Sequence, residues 1–439
     1  MTLTVPPPGQ ILRWLGGPID VRVEIDTGLA ADNPQARWDV DRWDVDRWGA
    51  DDPAWTDVSP YVFEVGIRAG IERWGERFVS SSAAITLDDT TGLFTPDSGQ
   101  GDWLLPFRPG RRIRVVAIPD EETGKVPLFT GQIDSTEDLY DDAGHAITTQ
   151  VVCTDFMAVL AAYNPAMLET PTGTQSTDAR VNAALDRIDY PPASRIVQPG
   201  QHSMQSSYLA QTVLEECQRA ADAEGGSFYA DRQGFAVLKA RDWLVTDPRS
   251  VNVQGYLGYD TLPVPPGSTL WDVGRWDVDV WEGFELNTAH IVGLETSWEA
   301  ARVVNDVAFA RVGSTLQRAE DLDSQALHGI RSHHRTDLEN SLNSEVAILA
   351  TRYLAAFKDS RMRVDAVTIS AVESYPGDDR QHLFWDTRFG DRLAIRVQPP
   401  WGWSFDKEVH VMGLAHQITG SDWLLTLQLD DAQTYEGGI

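Results

Sequence analysis

"PIDVRVEIDT", residues 18–27, decides the fold class. Ile19, Val21, Val23 and Ile25 alternate with Asp20, Arg22, Glu24 and Asp26. A period of two sends one set of side chains to each face of an extended chain, whereas a helix would need a period of 3.6. The stretch therefore reads as a β-strand with a buried apolar face and a wet charged one. The same alternation returns in "YVFEVGIRAGI" (61–71), "AAITLDD" (83–89), "RRIRVVAI" (111–118), "LFTGQIDSTED" (128–138) and "AITTQVVC" (146–153). Clusters of Gly and Pro separate these runs, as turns require. Many short strands with turn signals predict an antiparallel barrel or sandwich over residues 1–155.

Further along, the period changes. "DFMAVLAAY" (155–163) and "TDARVNAALDRI" (177–188) have helical spacing, the latter with Val181, Leu185 and Ile188 on one face. "SSYLAQTVLEECQRAADAEGG" (206–226) is the strongest helix of this part. Leu209, Val213, Cys217 and Ala220 form its stripe, and Gly225 supplies its stop. "GSFYADRQGFAVLKARD" (226–242) reads as a hairpin turning at residues 231–234. A Pro-rich linker, "PVPPGS" (263–268), follows. Strands resume in "AHIVGLETSW" and "VVNDVAFARVG". A helical block is predicted over residues 324–358, with Val346, Leu349, Tyr353 and Phe357 inward. "RVDAVTIS", "DRLAIRVQ", "EVHVMGLAHQI" and "DWLLTLQLDD" return to strands. The predicted class is mainly β with α+β insertions. Its parts are a β-rich unit at 1–155, a mixed α/β middle at 156–268 and a second β-rich unit at 269–439.

The 439 residues include 36 Lys and Arg against 66 Asp and Glu, a formal net charge of -30. Phosphate contacts need clustered cations, so a nucleic-acid-binding surface is excluded. Acidity favours dispersal in water, and it also suits a surface that repels DNA, such as a channel wall. The two cysteines, Cys153 and Cys217, form no CxxC and no metal spacing. No apolar run of about 18 residues occurs, so no transmembrane helix is expected, and the N-terminus lacks the pattern of a signal peptide.

Catalytic constellations do not emerge. HExxH, GxSxG, GxGxxG and phosphate-loop motifs are missing from the sequence. His333 and His334 are neighbours in a segment read as helical, where adjacent side chains diverge by about 100° and do not share one ion. Asp88 and Asp89 precede a turn-rich segment and read as turn chemistry rather than an acid–base pair. An EF-hand reading from Asp44 fails because its fifth and twelfth positions are Trp48 and Trp55. No catalytic residue, metal site or cofactor is expected, and the chain does not read as an enzyme.

One phrase remains. "RWDVDRWDVDRWGADD" (37–52) has a cousin, "LWDVGRWDVDVW" (270–281). Trp38, Trp43 and Trp48 are spaced by five, as are Trp271, Trp276 and Trp281, which fits neither a helix nor a strand. Exposed indoles forfeit several kcal/mol per row at about 25 cal/mol per Å². Arg42, Arg47 and Arg275 stand between them and suit stacking at about 0.5–1 kcal/mol each. These nine residues are the candidate protein–protein or carbohydrate contact. Self-packed loops and docking elements are both open readings.

The order of several motifs resembles a known family. Leu87-Asp88, the turn at 92–96, Arg108-Pro109-Gly110 before a strand, and the Phe129 to Ile133 run resemble minor tail proteins of long-tailed actinobacteriophages. The pieces "VVNDVAFAR", "LATRYLAAF", "RFGDRLAIRV" and "EVHVMGLAHQITGSDWLLTLQL" resemble late-control (protein D-like) and baseplate-hub proteins. Together they cover about residues 18 to 432. The resemblance implies two hub-type β-barrel domains flanking the mixed middle domain, in a homotrimer at the tail tip. Such a trimer adapts a six-fold tail tube and distal tail ring to a three-fold tip and encloses the DNA ejection path. The implied partners are the distal tail protein, the tape-measure protein and other tip proteins. DNA passes without specific binding, contact with the host cell envelope is open, and the protein is not integral to a membrane. The implied location is the virion, after assembly in the host bacterial cytoplasm. Rival readings are a receptor- or cell-wall-carbohydrate-binding tail protein using the Trp rows, and a cell-wall hydrolase.

Overall fold

The computed structural model describes residues 19–26, 55–71, 77–94, 108–120, 122–140, 142, 146–164, 173–207, 212–258, 288–298, 302–372, 381–397 and 405–436. Both Trp-Asp phrases, with all nine of their candidate contact residues, lie outside them, as does the 263–268 linker.

The first seven strands are β1 (Asp20–Asp26), β2 (Trp55–Asp57), β3 (Val62–Gly70), β4 (Ser82–Asp88), β5 (Arg112–Ile118), β6 (Val126–Tyr140) and β7 (Ala146–Thr154). The mixed segment holds α1 (Phe156–Ala162), β8 (Gln175–Ser176), α2 (Thr177–Asp186), β9 (Arg195–Val197), β10 (Ser203–Met204), α3 (Val213–Glu224), β11 (Ser227–Ala230), β12 (Ala236–Lys239), α4 (Trp243–Thr246) and α5 (Pro248–Val251). Then come β13 (Val253–Gly258), β14 (Thr288–Ser297), β15 (Asp306–Arg311), β16 (Gln317–Glu320), α6 (Leu322–His328), β17 (Ser332–Leu338) and α7 (Asn343–Phe357). The chain finishes with β18 (Arg363–Ser370), α8 (His382–Asp386), β19 (Arg392–Val397), β20 (Phe405–Thr419), β21 (Trp423–Asp431) and α9 (Gln433–Glu436).

Thirteen strands share one sheet, in the order β19-β13-β14-β18-β21-β20-β3-β4-β7-β6-β5-β1-β2, with a further pairing of β19 to β20. The order contains a repetition. In the first half, β3-β4-β7-β6-β5 are neighbours and all antiparallel. In the second, β14-β18-β21-β20-β19 are neighbours and all antiparallel. Each set uses its strands in the same chain order. A sixth strand flanks each set, with one difference: β1 is antiparallel to β5, whereas β13 is parallel to β19. In the second set β13 also pairs with β14, through residues 256–258 and 288–290.

The long strands β6 and β20 show how the sets are built. Each spans 15 residues and carries a bulge where its partner changes, at residues 133/135 and 411/413. A bulge bends a strand and strengthens its twist, so one strand can serve two sheet directions. β20 gives its first part to β19 and residues 413–419 to β3, and that second pairing joins the two sets.

Beneath the sheet runs one core, with Val65, Ile85, Leu87 and Val151 from the first set and Val367, Leu425 and Leu427 from the second. Trp423 is wholly buried in it. A second core gathers α1, α2, α3, β11 and β12, with Phe78 and Met412 reaching in from the sheet strands and their flanks. The third lies between β15, β17 and α7.

Most expected elements are present: the alternating strands, the two first helices and the hairpin at 231–234. Helix α3 starts where the Thr212 hydroxyl accepts from the Glu215 N–H at 3.2 Å. It stops at Gly225, whose φ of 74° is left-handed. A Cβ there would also meet Leu349 at 2.5 Å. Two expectations are corrected. Residues 332–338, inside the segment read as helical, form the strand β17, parallel to β15. Helical and extended periods are hard to separate in a polar run, and pairing with β15 decided it. His333 and His334 consequently point to opposite faces, and His333 stacks on Tyr353 at 4.8 Å. Glu24, expected on the wet face of β1, is 2% exposed. Arg114 bonds it at 2.7 Å from Nε, and the Lys125 ammonium also pairs with it.

Candidate functional site

Joining the sets produces a run of eight antiparallel strands, β14-β18-β21-β20-β3-β4-β7-β6, four from each set. One face of this run covers the core; among the described residues the other is open except at its end, where Arg363 and Asp430 are buried against Phe357 and Tyr435. Alternation from the buried positions assigns the open face: Gly66 and Arg68 of β3, Ala84 and Thr86 of β4, Gln150 and Val152 of β7, Ala415 and Gln417 of β20, Thr426 and Gln428 of β21, and Thr368 of β18. The side chains are small and mostly polar. Hydrogen bonds cross between strands, one between the Thr368 and Thr426 hydroxyls at 2.9 Å and one from Gln417 Nε2 to Glu64 Oε1 at 3.2 Å. The second of these spans the joint between the sets.

Among the described residues, the solvent-accessible charges at regularly paired positions of this face are Glu64, Asp88, Glu137, Glu295 and Arg68, while Arg363 and Asp430, on the same side at its end, are buried in an ion pair with each other. The face is therefore weakly acidic, while the bulk of the formal charge of -30 lies elsewhere.

Ion pairs fasten the layers behind it. Arg249, at the start of the segment leading to β13, holds Asp391 through two bonds of 2.7 Å and Asp386 at 2.9 Å. The Asp391 hydrogen bonds lead among the causes that push the Arg249 guanidinium further above its ordinary range. Burial pulls Asp386 upward, but Arg249 outweighs it and the carboxyl ends below its usual value. Arg180, 1% exposed, bonds Glu216 at 2.7 Å and the Gln205 carbonyl at 2.9 Å, tying α2 to α3. Arg77 and Arg335 converge on Asp222 of α3, at 2.7 and 2.8 Å. A cavity of about 530 Å³ opens there, lined by Phe78, Phe309, Tyr353 and those arginines. Its facing charges are spent on one another, which suits fastening rather than proton transfer.

Asp88 and Asp89 serve the turn after β4. Asp88 accepts from the Thr90 N–H at 3.0 Å, and buried Asp89 accepts from the Phe94 N–H at 2.8 Å and the Thr149 hydroxyl at 3.1 Å. Both cysteines are buried, and burial drives their thiols far up. Among the described residues no group of three or more His, Cys, Asp and Glu is placed to hold a metal, and no helix is long and apolar enough to cross a membrane. Arg–Trp stacking of the kind read into the repeats occurs in described residues at Arg114 and Trp55, 4.2 Å apart.

Sequence reading missed the open face itself. Its signal was present in the Ser, Thr, Ala and Gln that alternate with Ile, Leu and Val in the strands, where an ordinary exposed face carries Lys and Glu.

No protein-family model matches the chain, and no curated protein sequence matches it. Solved structures do. The tail protein from Neisseria meningitidis MC58 matches with a TM-score of 0.58 and 11% identity, over 95% of this chain and 98% of that one. The 43 kDa tail protein of prophage MuSo2 from Shewanella oneidensis matches with a TM-score of 0.53 and 12% identity, over 85% and 95%. At such identities the likeness establishes the fold: the chain has the mainly β fold of these tail proteins, along nearly its whole length.

Proposed function

We propose that the chain is a structural hub of a phage tail tip. It acts as a homotrimer that joins a six-fold tube and distal tail ring to a three-fold tip and encloses the path of the DNA. Each set of strands is one barrel-like domain, the mixed segment between them is the middle domain, and three copies present six quasi-equivalent domains. The observation that carries this reading is the eight-strand run, four strands from each of two sets, with one small, polar, weakly acidic face. A channel for DNA must not hold the phosphate backbone. Neutralising phosphates with Lys or Arg releases counterions and creates affinity, and the accessible part of this face offers, among the described residues, one arginine against four carboxylates. Charges more than about 8 Å from the lumen are screened at physiological salt, so the face, not the total of -30, sets the interaction. On this reading the lumen is net acidic, but only weakly so.

The hub works in the virion, assembled in the host bacterial cytoplasm with the distal tail and tape-measure proteins as neighbours. Peptide mass spectrometry of purified virions, with cryo-electron microscopy of the tip, tests this. The reading expects three copies around the axis with the eight-strand face inward. An absence from virions, or a face turned away from the axis, overturns it. A variant carrying Thr86→Lys, Gln150→Lys and Thr426→Lys should assemble normally, retain duplex DNA at low salt and slow ejection. Unaltered ejection and DNA retention would count against a lumenal face.

A further inference from the structure

Among the described residues, the joint between the two sets has an unpaired counterpart at each end of the eight-strand run. At the joint, β3 pairs with β4 on one edge and gives the other edge to β20. The strand equivalent to β3 is β14, which pairs with β18 along residues 291–297 but with β13 only along 288–290. Its outer edge beyond residue 290 has no backbone partner among the described residues. The strand equivalent to β20 is β6. It pairs with β7 along residues 132–140, while β5 reaches only to residue 132 on the other edge. Residues 134–140 thus have no second strand partner among the described residues, where the equivalent part of β20 pairs with β3.

Open strand edges invite pairing, and isolated proteins blunt them with charge, proline or cover. These two edges carry carboxylates, at Asp134, Glu137 and Glu295, and they also expose large apolar side chains: Leu139 at 61% and Tyr140 at 48% on β6, Val292 at 42% on β14 and Trp298 at 71% just after it.

We infer that residues 137–140 of one copy pair antiparallel with residues 294–297 of a second copy, repeating between chains the joint that β20 and β3 make within one. This rests on the hub reading and names its subunit interface. The register follows from equivalence across the sheet. Gly66, Ala84 and Val152 lie in one row with Ser135, as Glu295, Ala366 and Gln428 do with Gly413. Glu295 therefore corresponds to Gly66, and Ser135 to Gly413. Within the chain Gln417 faces Gly66 and Ile418 faces Val65. Between chains, Leu139 then faces Glu295 and Tyr140 faces Leu294. The contact is head-to-tail, and such contacts close into a ring when the rotation permits. Because both joints use the same edges, each step around the ring turns through a similar angle.

Cysteine pairs introduced into the full chain test it. Leu139→Cys with Glu295→Cys, and Tyr140→Cys with Leu294→Cys, cover both kinds of antiparallel site, of which the non-hydrogen-bonded one is the closer. Under mild oxidation at least one pair should yield covalent dimers and trimers on a non-reducing gel. Tyr140→Lys and Trp298→Lys, at exposed positions, should weaken trimerisation by about tenfold or more in sedimentation, with the circular dichroism unchanged. A wild-type trimer that gives no cross-link with either pair and ignores both lysines overturns the edge pairing while leaving the hub reading in place. A wild-type chain that stays monomeric across a concentration series overturns both.

Discussion

His416 sits where the two strand sets meet, opposite Ile67 of β3. Its Nδ1 accepts from the Trp423 indole N–H at 3.1 Å, so the ring is neutral with its proton on Nε2. Burial, aided by the positive charge of Arg232, depresses its pKa to about 3, and burial brings that of His410 to about 4. The unfolded chain has an ordinary histidine, near 6.5. Between these values the unfolded state binds more protons, so stability falls as pH drops below about 6.5. From pH 7.5 to 5 each histidine should withdraw about 2 kcal/mol. In His416→Gln, whose carbonyl still accepts from Trp423, the pH dependence of denaturant midpoints should flatten by about that amount. An identical pH profile for wild type and variant would refute the assignment. Comparing the two removes the contribution of the carboxylates, some of which shift the other way.

Gly70 faces Gly413 across the same joint, with φ of 99°. A Cβ at Gly70 would lie 2.4 Å from the Met412 carbonyl oxygen. Gly70→Ala should therefore cost more than about 1 kcal/mol, since backbone strain adds to the clash. Thermal melts that match wild type would show that the joint has more room than its geometry implies. Glu24 teaches a different lesson. Burial alone raises its pKa, yet Lys125 and Arg114 bring the carboxyl below its usual range. No alternation rule foretells a buried acid, because its partners stand about a hundred residues away on β5 and beside β6.

Among the elements, β20 and β21 concentrate the packing. Trp423 begins β21, is fully buried and meets Phe384 edge-on at 5.3 Å. Trp423→Ala should cost about 3–5 kcal/mol, the range for large aromatic truncations, read as a lowered denaturant midpoint. It also leaves the His416 nitrogen without its donor. An effect under about 1 kcal/mol would mean that the core closes over the gap. At this scale the sequence was highly legible. The alternation in "DWLLTLQLDD" forecasts β21, and the 3.6 spacing in α3 forecasts its buried Val213, Cys217 and Ala220. The exception, β17, is polar along most of its length. Its strand identity comes from lying beside β15, with Asp306 accepting from the Ser332 hydroxyl at 2.7 Å.

For the whole molecule, the relevant quantity is the repeated strand order. Under the proposed hub function, one chain with two like sets stands where a tube ring needs two subunits. Local patterning established the β class, the helical middle, most element positions and the fate of the cysteines, because periodicity and turn chemistry act over a few residues. The resemblance in motif order supplied the expectation of two like halves. Only the tertiary structure decided that the halves share one sheet, that their joint buries His416, and that the outward side chains form a weakly acidic face ending in two open edges. Those properties depend on which strands become neighbours across more than three hundred residues, as β3 and β20 do. Pairing at that distance leaves no local pattern in the chain.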